Sequence, residues 1–201
     1  MTMAHPELGG LTDADTELLF SIAREALRRS TIGGDHSWVP DLDRLPVALH
    51  RPAATFVTLH IDGELRGCVG SVEARLPLAW DVAKNAVAAG HHDPRFRPLA
   101  PHELDRLEVE VSILSPLREL PYSSFEDLID KVRPGVDGVM VERGYQRGLL
   151  LPQVWESLPD RRRFLEHVAM KAGAGLEIYG DPSTKVYVFE RTSFSDPAPV
   201  E

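Results

Sequence analysis

The sequence predicts an α+β fold, a mixed or antiparallel sheet packed with helices, and three observations carry that reading. Two β-rich hairpins stand far apart in the chain, Ala54–Val72 around an Asp62-Gly63 turn and Gly135–Val154 around Gly144. Stretches with apolar residues at helical spacing precede, separate and follow them, within Leu18–Leu27, Leu78–Val87 and Phe164–Ala169. No strand–helix–strand rhythm recurs and no glycine-rich loop follows a strand, which sets aside a doubly wound nucleotide-binding sheet.

Each element has a local reason. Residues 1–10 and 195–201 read as loose ends, the latter through its two prolines. From Leu11 the pattern is helical. Thr12 caps, Asp13 and Asp15 suit the positive end of the helix dipole, and Gly33-Gly34 stops the run. Pro40, Pro46 and Pro52 make 35–53 a connection with room for one short helical turn. The first hairpin follows, then a helix opened by Pro77 and ended at Gly90. Residues 91–101 form a polar loop, and Pro101–Arg106 a short helix. Leu107–Ser115 alternates, with Leu107, Val109, Val111 and Ile113 on one face and Glu108, Glu110 and Ser112 on the other. Phe125–Val132 reads as a short helix and the second hairpin comes next. Asp160–Ala172 is helical up to Gly173, and Leu176–Tyr179 and Lys185–Phe194 are expected as closing strands.

Composition narrows the function. The chain of 201 residues suits one domain, or one domain with two lobes. A formal charge of −9, from 22 basic and 31 acidic residues, argues against wrapping a nucleic acid backbone. The one dense basic run, Arg161-Arg162-Arg163, opens a helix and is explained as a solvated face. One cysteine excludes an internal disulfide and every multi-cysteine zinc motif. Apolar runs are too short to cross a bilayer and the first ten residues lack a secretory pattern, so a cytoplasmic location is expected.

Chemistry points to that cysteine. Cys68 lies in Leu65-Arg66-Gly67-Cys68-Val69-Gly70, on the returning strand of the first hairpin. Strand alternation puts Arg66 on the same face, where a guanidinium favours the thiolate. Cys68 also reads as a small buried hydrophobe, a common fate of free cysteine. Both readings stand on the residues alone.

Four short motifs occur in one order: Leu65–Gly70, Asp93-Pro94-Arg95-Phe96, Leu149–Val154 and Lys171-Ala172-Gly173, with Phe56-Val57-Thr58-Leu59 before the hairpin. Together they resemble the AMMECR domain family, whose prokaryotic members are called AmmeMemoRadiSam system protein A. The resemblance spans nearly the whole chain and implies a single domain over 11–194 with a larger and a smaller lobe, the cysteine motif near a cleft between them. It attaches no firm reaction, and by family association implies Memo-type and radical-SAM proteins as partners. Gly90-His91-His92 departs from the family pattern, so a role for the histidine pair rests on the residues alone.

Three chemistries are open. In a thiol enzyme, Cys68 is nucleophile, Arg66 its activator and His91 or His92 the general base, while Asp93, Arg95, Glu110, Gly67 and Gly70 meet the substrate. Asp93-Pro94-Arg95 has a structural reading too, an Asp–Arg pair locking a turn. A metal held by Cys68, a histidine and Asp93 or Glu110 is disfavoured, because adjacent histidines point apart and no helical pair spaced i, i+4 occurs; no metal or cofactor is assigned. In a binding or adaptor module, a small molecule or protein partner occupies the same cleft without bond-making, and Gly67 and Gly70 permit close backbone approach.

Overall fold

The computed structural model of the chain describes residues 4–5 and 10–196. The chain divides into two compact units, the described residues of Met1–Leu114 with those of Thr192–Glu201, and Ser115–Arg191. Residues 1–3, 6–9 and 197–201, expected as loose ends, lie outside the described residues. Inside those ends, β1 (Ala4–His5) pairs with β2 (Leu11–Thr12).

The first unit is a sheet backed by two helices. Helix α1 (Asp13–Gly33) starts in a capping box, Thr12 accepting from the Asp15 N–H while Asp15 accepts from the Thr12 N–H, and ends at Gly34 in the left-handed conformation. That cap satisfies helix-end donors that would otherwise lack partners, worth about 1 kcal/mol. Helix α2 (Leu78–His91) runs one residue past the expected glycine stop. Strands β3 (Pro52–Ile61), β4 (Glu64–Gly70), β6 (Leu107–Leu114) and β11 (Arg191–Asp196) lie in the order β11-β6-β3-β4, with β5 (Leu76–Pro77) against the start of β3. Val57 and Leu59 stand opposite Val111 and Val109, and all four pack into one buried core with α1 and α2. Period-two alternation then sends Phe56, Thr58 and His60, with their partners Ser112, Glu110 and Glu108, to the face turned away from the helices.

The second unit has the strand order β7-β10-β8-β9, from β7 (Arg118–Glu119), β8 (Gly138–Arg143), β9 (Gln146–Leu150) and β10 (Lys185–Phe189). Helices α3 (Phe125–Lys131) and α4 (Arg161–Lys171) supply Leu128, Phe164, Leu165 and Val168 to its core. The Trp155 ring stacks on Phe164 with centroids 3.7 Å apart, and its Nε1–H donates to the buried carbonyl of Asp137 at 2.7 Å.

Three sequence expectations change. Leu176–Tyr179 is not a strand but part of a 3-10 turn, Leu176–Gly180, whose backbone bonds are local, Ile178 N–H to the Gly175 carbonyl and Asp181 N–H to the Ile178 carbonyl, with the Thr184 hydroxyl also donating to the Ile178 carbonyl at 2.6 Å. The run Lys185–Phe194 is broken after Phe189, and its two parts join different sheets as β10 and β11. Ser195 and Asp196 are not loose: they end β11, and Asp196 accepts from Arg24 Nε at 2.7 Å. Around the break, Ser115 N–H donates to the Glu190 carbonyl and Glu190 N–H to the Ser115 hydroxyl, each at 2.9 Å.

Candidate functional site

Cys68 reaches the polar face of the first sheet through a β-bulge. Across the Asp62-Gly63 turn the pairs begin as Ile61 with Glu64 and His60 with Leu65. The register then shifts, so that Leu59 pairs with Gly67 and Thr58 with Cys68. An unshifted register would set Cys68 opposite Val57, which is wholly buried under the helices. The extra residue instead turns the sulfur to the side of Thr58, and Cys68 is partly exposed there. The Thr58 hydroxyl donates to Sγ at 3.3 Å. Glu110 stands opposite Thr58 on the next strand, so Cys68, Thr58 and Glu110 form a row across three strands, stepped by about 4.8 Å.

The outer edge of β4 is taken by the loop after α2. Buried Asp93 accepts from the Cys68 N–H at 2.9 Å through Oδ2, and from Arg95 through Nε at 2.9 Å, Nη2 at 2.7 Å and the backbone N–H at 3.1 Å. The Arg95 guanidinium, above all, holds the Asp93 carboxyl far below the usual carboxylate range, against the opposing effect of burial; the Cys68 N–H adds to the lowering. Asp93 in turn raises Arg95, with a smaller electrostatic contribution from Cys68. The side chain of Arg95 is 55% exposed and so open to solvent.

Several expected roles move to other residues. Arg66 is not the thiol's partner: its buried guanidinium grips Glu103 with two bonds, 2.8 and 3.0 Å, and reaches the Pro98 carbonyl at 3.4 Å. The bulge breaks the alternation that would have paired Arg66 with Cys68. Arg66 therefore locks the 96–103 segment, and it lowers the Glu103 carboxyl from 4.5 to about 2. Nor does His91 reach the sulfur: its Nε2 is bonded to the Ser30 and Thr31 hydroxyls of α1, at 3.1 and 3.2 Å. Exposed His92 stands beside His36 and His91 rather than at Cys68.

The glycines serve packing. A Cβ on Gly67 would lie 2.1 Å from the Ala89 carbonyl oxygen of α2, and one on Gly70 would lie 2.3 Å from the Phe56 ring. Helix and ring, not a substrate, explain both positions.

Thr58 is the neighbour of the sulfur that sequence reasoning missed, along with a buried cluster at the end of the hairpin. Asp81 accepts from Thr55 N–H at 2.9 Å, the Thr55 hydroxyl at 2.7 Å, Asn85 at 3.0 Å and the Ser71 hydroxyl at 2.9 Å. Burial pushes the Asp81 carboxyl up, against those four donors. Among the described residues, no group of three histidine, cysteine or carboxylate side chains is arranged to hold a metal ion. No helix of the described residues is long and apolar enough to cross a membrane.

The AMMECR1 family model matches residues 20–194. The chain belongs to the AMMECR1 family. A protein of Methanothermobacter thermautotrophicus is 41% identical over 183 residues, covering 89% of this chain and 92% of that one. Protein NEQ441 of Nanoarchaeum equitans is 36% identical, covering 89% of this chain and 98% of its own. Among solved structures, the AMMECR1 chain is similar to the uncharacterized protein PH0010 of Pyrococcus horikoshii, at a TM-score of 0.77 and 34% identity over 93% of this chain and 94% of that one. AMMECR1 membership thus carries the α+β fold, and the chemistry has to be argued from the site.

Proposed function

We propose that this AMMECR1 chain carries out thiol-dependent chemistry at Cys68 on a small substrate bearing an anionic group. The observation that supports it is the shared neighbourhood of a partly exposed sulfur, a hydroxyl donating to it at 3.3 Å and an exposed guanidinium held by the same carboxylate that accepts from the Cys68 N–H. Asp93 fixes the Cys68 backbone and orients Arg95, which presents the rest of its fork for an anion. The sulfur forms the bond to a carbon of the electrophile as that carbon's bond to its leaving group breaks and the leaving group departs with the bonding electrons; the thiol proton passes to solvent, and the Thr58 hydroxyl, donating to Sγ, stabilises the attacking thiolate.

The test compares alkylation of folded protein by iodoacetate and by neutral iodoacetamide. Cys68 is expected to react with both, and Arg95→Gln to slow iodoacetate more than iodoacetamide. A thiol that reacts only after unfolding, or an Arg95→Gln variant that slows both reagents equally, overturns the reading. A binding role toward a Memo-type or radical-SAM partner would use the same face without bond-making. Its support is that the sulfur's side-chain hydrogen-bond partner is a hydroxyl and not an imidazole. On that reading Cys68→Ser keeps the complex.

A further inference from the structure

We propose, on the reading of Arg95 as the anion anchor, that Phe96 is a positioning residue of the Cys68 site: its ring, shared by two guanidiniums, sets the angle of the exposed Arg95 fork against the buried Arg66–Glu103 pair. Asp93 takes Arg95 through two side-chain bonds, from Nε at 2.9 Å and from Nη2 at 2.7 Å. Two parallel bonds along one edge fix how far the fork stands from the carboxylate, yet leave it free to hinge about that edge. Only a contact on the flat of the guanidinium stops the hinge. Phe96 supplies it: the Arg95 Cζ lies over the ring, 5.4 Å from its centroid, inside the ~6 Å at which a cation is drawn to the negative face of an aromatic ring. The ring is half-buried and is set by the same turn, the Phe96 N–H donating to the Asp93 carbonyl at 3.1 Å.

A second guanidinium reaches the same ring. The Arg66 Cζ lies over it, 6.0 Å from the centroid. Arg66 is held by Glu103 through Nε at 2.8 Å and Nη2 at 3.0 Å, and Nη2 also reaches the Pro98 carbonyl. Its remaining nitrogen, Nη1, is buried with no hydrogen-bond partner among the described residues. A buried cationic donor without an acceptor is costly, and an aromatic face beside that guanidinium offsets part of the cost. The cation that cannot move thus fixes the ring, and the ring fixes the cation that can. An aliphatic side chain at position 96 fills the same space without a negative face, so the hold belongs to the ring and not to its bulk.

The experiment places a trifluorinated phenylalanine at position 96, which keeps the ring's shape and removes the negative charge of its face. Two quantities are read: exchange of the Arg95 Nε–H with water by NMR, and the ratio of the Cys68 alkylation rates by iodoacetate and iodoacetamide. Exchange is expected to quicken and the ratio to fall, each by about two- to fivefold, as loss of an exposed cation–π contact gives. Phe96→Tyr keeps the face and is expected to leave both unchanged, whereas Phe96→Leu is expected to move both. A ring that served packing alone moves neither on fluorination. Unchanged exchange in the fluorinated protein, or a ratio that falls with Arg95→Gln and not with fluorination, overturns the role of Phe96. Faster exchange in the fluorinated protein, with a ratio that neither fluorination nor Arg95→Gln alters, supports the ring's hold on the fork and overturns the anion anchor instead.

Discussion

Replacing Arg66 by methionine tests where the motif's arginine is spent. Its guanidinium and the Glu103 carboxylate are both buried, with side chains 11% and 8% exposed, and two charge-assisted bonds join them. Removing the cation leaves Glu103 buried with the Ala100 N–H, at 2.8 Å, as its remaining donor. Breaking a buried pair from one side costs about 3–5 kcal/mol, because the abandoned charge keeps its desolvation penalty. Arg66→Met/Glu103→Leu removes both charges and is expected to regain most of that loss. Acid dependence gives a second reading of the same pair. A carboxyl held at about 2 instead of 4.5 contributes stability above pH 4.5 that is lost as pH falls toward 2. The ceiling of that contribution is about 3 kcal/mol, and solvent screening at the edge of the pair brings it to about 1–2 kcal/mol. Urea denaturation at pH ~7 and ~3 measures both numbers. If the single and double variants are equally destabilised, or if Arg66→Met leaves stability intact and silences Cys68 toward alkylation, the assignment to Glu103 is wrong.

Two further substitutions probe the packing. Gly67→Ala drives a methyl into the Ala89 carbonyl, which lies on backbone and cannot swing aside, so a loss of about 1–3 kcal/mol of stability in urea denaturation is expected; a Gly67→Ala protein of unchanged stability would return this glycine to the substrate. Trp155→Phe keeps the ring stack on Phe164 but orphans the buried Asp137 carbonyl, at a cost of about 1–3 kcal/mol. That loss is expected in the exchange protection of the second unit's core and absent from the first.

What the sequence shows plainly is local. Thr12 with Asp15 three residues on marks the start of α1, and Asp62-Gly63 between β-rich runs marks the first hairpin. The hidden part depends on residues far apart in the chain. The bulge that sends Cys68 to the polar face is absent from any period-two count, and Thr58 becomes its neighbour only once the register has shifted. Arg66 and Glu103 are separated by 37 residues and a helix, so nothing near Arg66 announces its partner. Gly67 and Gly70 look alike in the motif, yet one answers to a helix carbonyl and the other to an aromatic ring. The break at Glu190 carries neither glycine nor proline, which is why Lys185–Phe194 reads as one strand.

The double hydrogen bond between Ser115 and Glu190 makes the second unit a parenthesis in the chain, opened and closed at one point. Leu114 and Thr192, the residues of the first unit that flank it, can therefore be joined by a short turn in a shortened protein. The excised stretch brings its own core and its own clasp for its two ends, as a transplantable insert requires.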